Sequence, residues 1–164
     1  MQRTEFIASR MREVLLDGTW IANTNFHDQI TKVNWKQATH KIANLNTIAL
    51  LTFHIDYYLD GILRAFQTGK LDISDKFSFD MREISSEEDW QELVAKFLKD
   101  ANDFVDYVEN MQESELEKPF IDAKYDSNIR NLEGVIEHSY YHLGQVVLIA
   151  KMVRELDSKN GKVT

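Results

Sequence analysis

Two histidines, His138 and His142, have the spacing in this chain that points most directly to chemistry. They lie in the run IEHSYYHLGQVVLIAK, residues 136–151, whose apolar residues recur at helical spacing. Residues four apart on a helix share one face, with Cβ atoms about 5–6 Å apart, so two such imidazoles can bind one metal ion. The apolar stripe of the predicted helix consists of Val135, His138, His142, Val146, Ile149 and Val153. Two imidazoles therefore stand where Val or Leu would be expected.

A third histidine, His54, lies in the run LLTFHIDYYL, also among apolar neighbours. In a helical bundle, facing helices supply ligands to a shared interior site. We therefore predict a three-histidine metal site made of His54, His138 and His142. Two alternatives stay open at this point: His54 could be a core histidine bonded to a backbone carbonyl, and the pair could be a surface feature. The other two histidines, His27 and His40, lie in a less regular segment.

Composition narrows the class of protein. The chain has 164 residues, six of them glycine and one proline, which favours a mostly helical fold in a single domain spanning 1–164. It carries 27 acidic against 19 basic residues, a formal net charge of −8, and shows no basic face for nucleic acid. It has no cysteine, which excludes disulfides and thiolate metal ligands. With no signal peptide and no apolar run of membrane-spanning length, we expect a cytoplasmic protein without membrane contact.

Four long helical patterns predict an all-α four-helix bundle. They run from about Thr4 to Asp17, Asn46 to Gln67, Ser85 to Met111 and Asn128 to Leu156. A long connection separates the first two patterns and includes one short helix from Asn34 to His40. A second connection, with alternating Phe77, Phe79 and Met81, is expected to be briefly extended.

Local signals mark where these helices begin and end. Asn46 is the expected N-cap of the second helix, and Ser85 with Glu88 forms a predicted capping box on the third. Gly18 and Gly69 are the expected C-terminal stops of the first two helices, Gly18 in a left-handed conformation. Phe6 is expected on the apolar stripe of the first helix.

Several of these stretches resemble the DinB/YfiT-like superfamily. EHSYYHLGQVVLIAK resembles its fourth-helix motif, in which two histidines four apart are followed by Gly-Gln. NTIALLTFHIDYY resembles its second-helix motif with a single histidine, and LDGTW and VNWKQA resemble the approach to that helix. The resemblance covers nearly the whole chain, and it implies the same metal triad, His54, His138 and His142.

The resemblance implies a metal-dependent enzyme of hydrolase or thiol-dependent transferase type. Three neutral imidazoles leave the positive charge of the ion intact, so the ion can lower the pKa of a bound water or of a thiol cofactor. The resemblance points to Zn or Ni as the divalent ion, and any thiol must come from a small molecule because the chain has no cysteine. It also implies a homodimer acting on a small-molecule substrate. The alternative is a non-enzymatic dimeric binding or stress-response module that keeps the fold.

Three residues near the histidines are candidates for a catalytic or orienting role. Gln145 follows His142 by three positions and belongs to the resembling motif. It would either orient a ligand or bond to a backbone group. Tyr58 lies four residues after His54 and Tyr141 three after His138, so either could line the site or simply pack in the core with a solvated hydroxyl.

Overall fold

The computed structural model describes residues 2–160 and is built almost wholly from helices. The α-helices are α1 (Arg3–Leu15), α2 (Phe26–Ile30), α3 (Trp35–Ala38), α4 (Ile48–Thr68), α5 (Glu87–Glu109) and α6 (Asn128–Asn160). Three short 3₁₀ turns lie at Asp75–Phe77, Glu113–Glu115 and Ala123–Tyr125. No β-strand occurs among residues 2–160, which confirms the predicted all-α class. The predicted domain, 1–164, also includes residues 1 and 161–164, which lie outside the described range, and it stays a prediction.

The four long helices pack so that α4 and α6 become neighbours. Helices α1 and α4 each contact both α5 and α6. Large side chains fill the space between them, and Met11, Leu59, Phe97 and Phe104 are almost fully buried. Each such side chain stabilises the fold by roughly 1.5–3 kcal/mol through removal of apolar surface from water. This packing places the single histidine of α4 opposite the two histidines of α6.

The helix boundaries follow local hydrogen bonding, and two of the predicted caps are wrong by one residue. Thr47, rather than Asn46, caps α4, because its hydroxyl accepts from the Leu50 amide at 3.1 Å. Ser86, rather than Ser85, caps α5 through the Asp89 amide at 3.1 Å. In each pair both residues are polar capping types, so residue type alone does not choose between them.

The two glycines behave differently. Gly69 ends α4 in a left-handed conformation, with φ of 71°. Gly18 does not adopt that conformation, so that prediction is wrong. Gly18 instead allows the chain to pass close to the backbone of α1, because a Cβ atom at Gly18 would lie 2.6 Å from the Cα atom of Glu13.

The connection between α1 and α4 contains two short helices, not one. Helix α3 is shorter than predicted, and Asn34 caps it by accepting from the Gln37 amide at 3.0 Å. Helix α2 was not predicted, because five residues are too few to show a helical repeat. Its Phe26 and Ile30 are fully buried. The connection is tied to α5 by Trp90, whose Nε1 donates to the Val33 carbonyl at 3.0 Å.

Three further predictions needed correction. Phe6 does not lie in the core, since 56% of its surface is exposed. Helix α6 continues past Leu156 to Asn160. The segment around Phe77 forms a 3₁₀ turn rather than an extended stretch, with Ser78 following it. That turn brings Phe79 against His54, which is a contact between distant parts of the chain.

None of the described helices is both long enough and apolar enough to cross a membrane.

Candidate metal centre

The structure brings His54 of α4 together with His138 and His142 of α6. One ring nitrogen from each of the three lies within 4.8 Å of the others. The Nε2 atoms of His54 and His138 are 3.1 Å apart, and the His138 and His142 ring centroids are separated by 4.7 Å. His54 and His142 are only 5% and 6% exposed, and His138 is half-buried. The group could therefore hold a metal ion in the interior.

Two of the three imidazoles are oriented by a hydrogen bond at the nitrogen facing away from the cluster. The Nδ1–H of His54 donates to the Ser78 carbonyl at 3.0 Å. The Nδ1–H of His142 donates to the Gln145 Oε1 atom at 2.7 Å. Both bonds keep the proton on Nδ1 and leave the Nε2 lone pair available. Such partners fix ring orientation and raise ligand basicity around metal-bound histidines.

Three imidazole nitrogens are a donor set that suits a divalent ion, and the separation of two of them matches the coordination of such an ion. Ligand nitrogens at 2.0–2.1 Å from a tetrahedral ion are separated by about 3.3 Å, close to the 3.1 Å between the Nε2 atoms of His54 and His138. Aromatic rings support the site. Phe79 stacks on His54 at 4.0 Å between centroids, and the Tyr58 ring stands edge-on to His54 and to His138 at 5.2 Å each.

Burial lowers the pKa of all three histidines. It is the main cause for His54, partly offset by the Ser78 carbonyl, and for His142, partly offset by Gln145. For His138, burial and then the neighbouring His142 and His54 lower the pKa to about 4. All three rings are therefore neutral at pH 7, and protons compete little with a metal ion for their nitrogens.

The lowered pKa of His138 predicts a pH dependence of stability. The unfolded chain, with an ordinary histidine pKa near 6.5, takes up a proton before the folded chain does, so stability rises with pH between about 4 and 6.5. The stability that this imidazole contributes is thus present above about pH 6.5 and lost as the pH falls toward 4. Urea unfolding of metal-free wild type and His138→Gln from pH 4 to 8 measures this pH dependence. The free energy of unfolding should fall more on acidification for the wild type than for His138→Gln.

The buried carboxyl of Asp56 titrates in the same pH range and must be separated from this effect. Burial raises the pKa of Asp56 to about 7, although Lys96 lies 2.7 Å away and acts in the opposite direction. The pH-dependent contribution of Asp56 to the free energy of unfolding is present in both wild type and His138→Gln, so it cancels when the two proteins are compared. Equal pH dependence in wild type and His138→Gln would contradict the prediction.

A cavity of about 300 Å³ reaches the cluster at His138. It lies between α4 and α6 and is called the α4–α6 cavity below. Its lining includes Ile55, Tyr58, Leu59, Gly134 and Val135. A metal ion at the three histidines would therefore not be sealed by packed side chains on every side.

The remaining predicted residues are placed as follows. Gln145 orients His142. Tyr58 lines the α4–α6 cavity, and the Tyr58 hydroxyl donates to Asp75 Oδ1 at 2.8 Å. Tyr141 is 65% exposed, and its ring stands edge-on to His142 at 4.8 Å. His27 and His40 are exposed and lie outside the cluster.

Sequence reasoning missed two contributors to the site, Ser78 and Phe79. Ser78 acts through its backbone carbonyl, so its residue type carries no signal. Phe79 is apolar and 44% exposed, and its position over His54 depends on the path of the connection after α4. No sequence pattern would have assigned either residue to the histidine cluster.

The fold and the site together define an all-helical protein with an interior three-histidine cluster able to hold a metal ion. A family model described as a protein of unknown function, DUF1572, matches residues 5–162, and the chain belongs to that family. No curated protein matches the chain, and no solved structure does.

Proposed function

We propose that this protein is a metal-dependent enzyme, of hydrolase or thiol-dependent transferase type, that acts on a small molecule. We further propose that its four long helices form a four-helix bundle of the DinB/YfiT-like superfamily. The observation that carries the functional proposal is the convergence of three neutral imidazoles, two of them oriented by hydrogen bonds, beside an accessible cavity. Structural metal sites are closed by four protein ligands, whereas catalytic sites keep a position for water or substrate.

His54, His138 and His142 are the residues that would hold the ion. Imidazole nitrogens suit Zn and Ni, which are the ions we propose. Such an ion supplies Lewis-acid chemistry and lowers the pKa of a water or thiol bound to it. Ser78 and Gln145 hold two of the rings in position through their Nδ1–H groups. Because the chain has no cysteine, a thiol cosubstrate would be a separate small molecule.

Tyr58 is the proposed group for contact with substrate, and its hydroxyl acts as a neutral polar group rather than as a base, because its one proton is donated to the Asp75 carboxylate. Burial, followed by the Asp75 carboxylate, raises the pKa of the Tyr58 hydroxyl, so the hydroxyl stays protonated at pH 7. It lines the α4–α6 cavity beside His138. Gln145 is a positioning residue, because it bonds to His142. Tyr141 lies at the exposed edge of the site.

Metal analysis joined to an activity screen tests the proposed function. Purified wild type should contain Zn or Ni, and the loaded protein should hydrolyse activated esters or transfer a low-molecular-weight thiol to an electrophile. His142→Ala, treated in the same way, controls for catalysis by free metal. Metal binding without turnover in any reaction would favour the alternative, a non-enzymatic dimeric binding or stress-response module.

A second copy of the chain is the partner that we propose, paired through the exposed face of α6. This face, called the α6 face, consists of Glu137, Tyr141, Gly144, Leu148 and Lys151. Tyr141 and Leu148 are 65% and 56% exposed. A Cβ atom at Gly144 would meet nothing within 4 Å, so a second helix can approach closely there.

The charges of the α6 face are self-complementary. Glu137 and Lys151 lie equally far from Gly144 along the helix, on opposite sides. In an antiparallel twofold pairing centred at Gly144, Glu137 of each copy would meet Lys151 of the other, as isologous contacts require. Glu137 also bonds to Arg130 in its own chain at 3.1 Å, but exposed pairs of this kind contribute about 0–1 kcal/mol and can exchange.

A charge swap tests this pairing by sedimentation velocity at micromolar concentration. Glu137→Lys and Lys151→Glu each place two like-charge contacts in the interface and should weaken dimerisation roughly tenfold. The double variant restores opposite charges and should recover most of the wild-type affinity. A monomeric wild type, or a double variant no better than the single ones, would exclude this interface.

A further inference from the structure

The α4–α6 cavity has a charged end and a histidine end. Its lining combines apolar side chains, among them Ile55, Leu59 and Val135, with polar ones, which are Tyr58, Tyr125, Asn131 and Ser139. Among the described residues that line it, Arg130 is the one charged side chain. A cavity with apolar side chains and one placed charge orients a ligand that has an apolar body and a single opposite charge, and the polar side chains offer it hydrogen bonds.

The two functional ends of the cavity are separated along α6. Arg130 precedes His138 by eight residues, which corresponds to about 12 Å along the helix axis. Gly134 lies midway between them and also lines the cavity. A Cβ atom at Gly134 would meet nothing within 4 Å, so the absent side chain leaves this space for a ligand.

Arg130 can accept an anionic ligand without large rearrangement. Its guanidinium bonds to Glu137 at 3.1 Å, and the two side chains are 52% and 59% exposed. Pairs this exposed are weak, so a ligand carboxylate can share or displace Glu137. A guanidinium has several donors in a planar fork and binds carboxylates in a bidentate manner. Asn131 also lines this part of the cavity.

We propose that the substrate is an elongated amphipathic small molecule with a terminal carboxylate. Its carboxylate binds Arg130, its apolar body lies over Gly134 between α4 and α6, and its reactive end lies at His138. This assignment of the reactive end rests on the proposed function of the histidine cluster, whereas the binding of the carboxylate and the apolar body does not.

Binding of octanoate to the metal-free protein tests the proposal, with octanamide as its neutral counterpart. Metal-free protein is used so that the carboxylate has no ion to bind. Isothermal titration at pH 7.5 should show octanoate binding about fivefold more tightly than octanamide, the upper range for an exposed charge pair. Arg130→Gln should remove that preference and leave octanamide binding unchanged. Arg154→Gln, an exposed arginine later on the same helix, is the matched control and should behave as wild type.

A second variant tests the location of the apolar body. Gly134→Leu fills the cavity with a side chain that also favours helix, so it should fold and bind neither compound. Zinc affinity is also measured on each variant, so that a filled cavity can be distinguished from a damaged metal site. Equal binding of the two compounds to wild type, no binding of either, or unchanged binding by Gly134→Leu would overturn the proposal. Loss of zinc binding alone would instead count against the proposed function.

Discussion

His142→Ala should abolish the stabilisation of this protein by Zn or Ni while the protein stays folded. An ion present at 100 times its dissociation constant stabilises the native state by about 2.7 kcal/mol. For a chain of 164 residues this raises the melting temperature of the wild type by roughly 5–10 °C. The variant retains two imidazoles, so its affinity for the ion falls and the shift should vanish. Circular dichroism melts with and without each metal measure it.

Two further variants test which residues the metal-dependent shift requires. His27→Ala changes an exposed histidine outside the cluster and should keep the full metal-dependent shift. Gln145→Leu removes the hydrogen bond to His142 Nδ1 but no ligand, so metal affinity should fall by about 10- to 100-fold and the shift should shrink. If the wild type melts at the same temperature with either metal as without, the three histidines do not form a working metal site.

Trp90→Ala should cost about 3–5 kcal/mol of unfolding free energy, the range for deleting a large buried aromatic side chain. Trp90 is fully buried in α5, and its Nε1 donates to the Val33 carbonyl at 3.0 Å. The substitution therefore opens a cavity and also leaves a carbonyl of the connection without that donor. Urea unfolding of the metal-free protein gives the value.

Two controls separate packing from hydrogen bonding at this position. Trp90→Phe keeps much of the buried ring and loses the indole donor, so it should cost about 1–3 kcal/mol. Trp20→Ala changes a tryptophan that is 77% exposed and should alter stability by no more than about 0.5 kcal/mol. A loss below about 1 kcal/mol for Trp90→Ala would mean that the connection is not anchored through this residue.

The local helical pattern could be predicted because it depends on neighbours three and four residues apart. The spacing of apolar residues located the four long helices to within a few residues at most ends. It did not choose between adjacent capping residues such as Asn46 and Thr47, because both are of capping type and only one adopts the required geometry. It also did not detect α2, whose Phe26 and Ile30 are buried by distant parts of the chain.

The sequence by itself determined which side chains are available to a metal ion and that His138 and His142 share a face. Helical geometry makes that pair local, so four residues of spacing suffice. The meeting of His54 with the pair depends on the packing of α4 against α6, and only the tertiary structure decided it. The same is true of the Ser78 carbonyl, the Phe79 ring and the α4–α6 cavity. These features join residues distant along the chain, and a backbone carbonyl or an empty space is not encoded by any residue type.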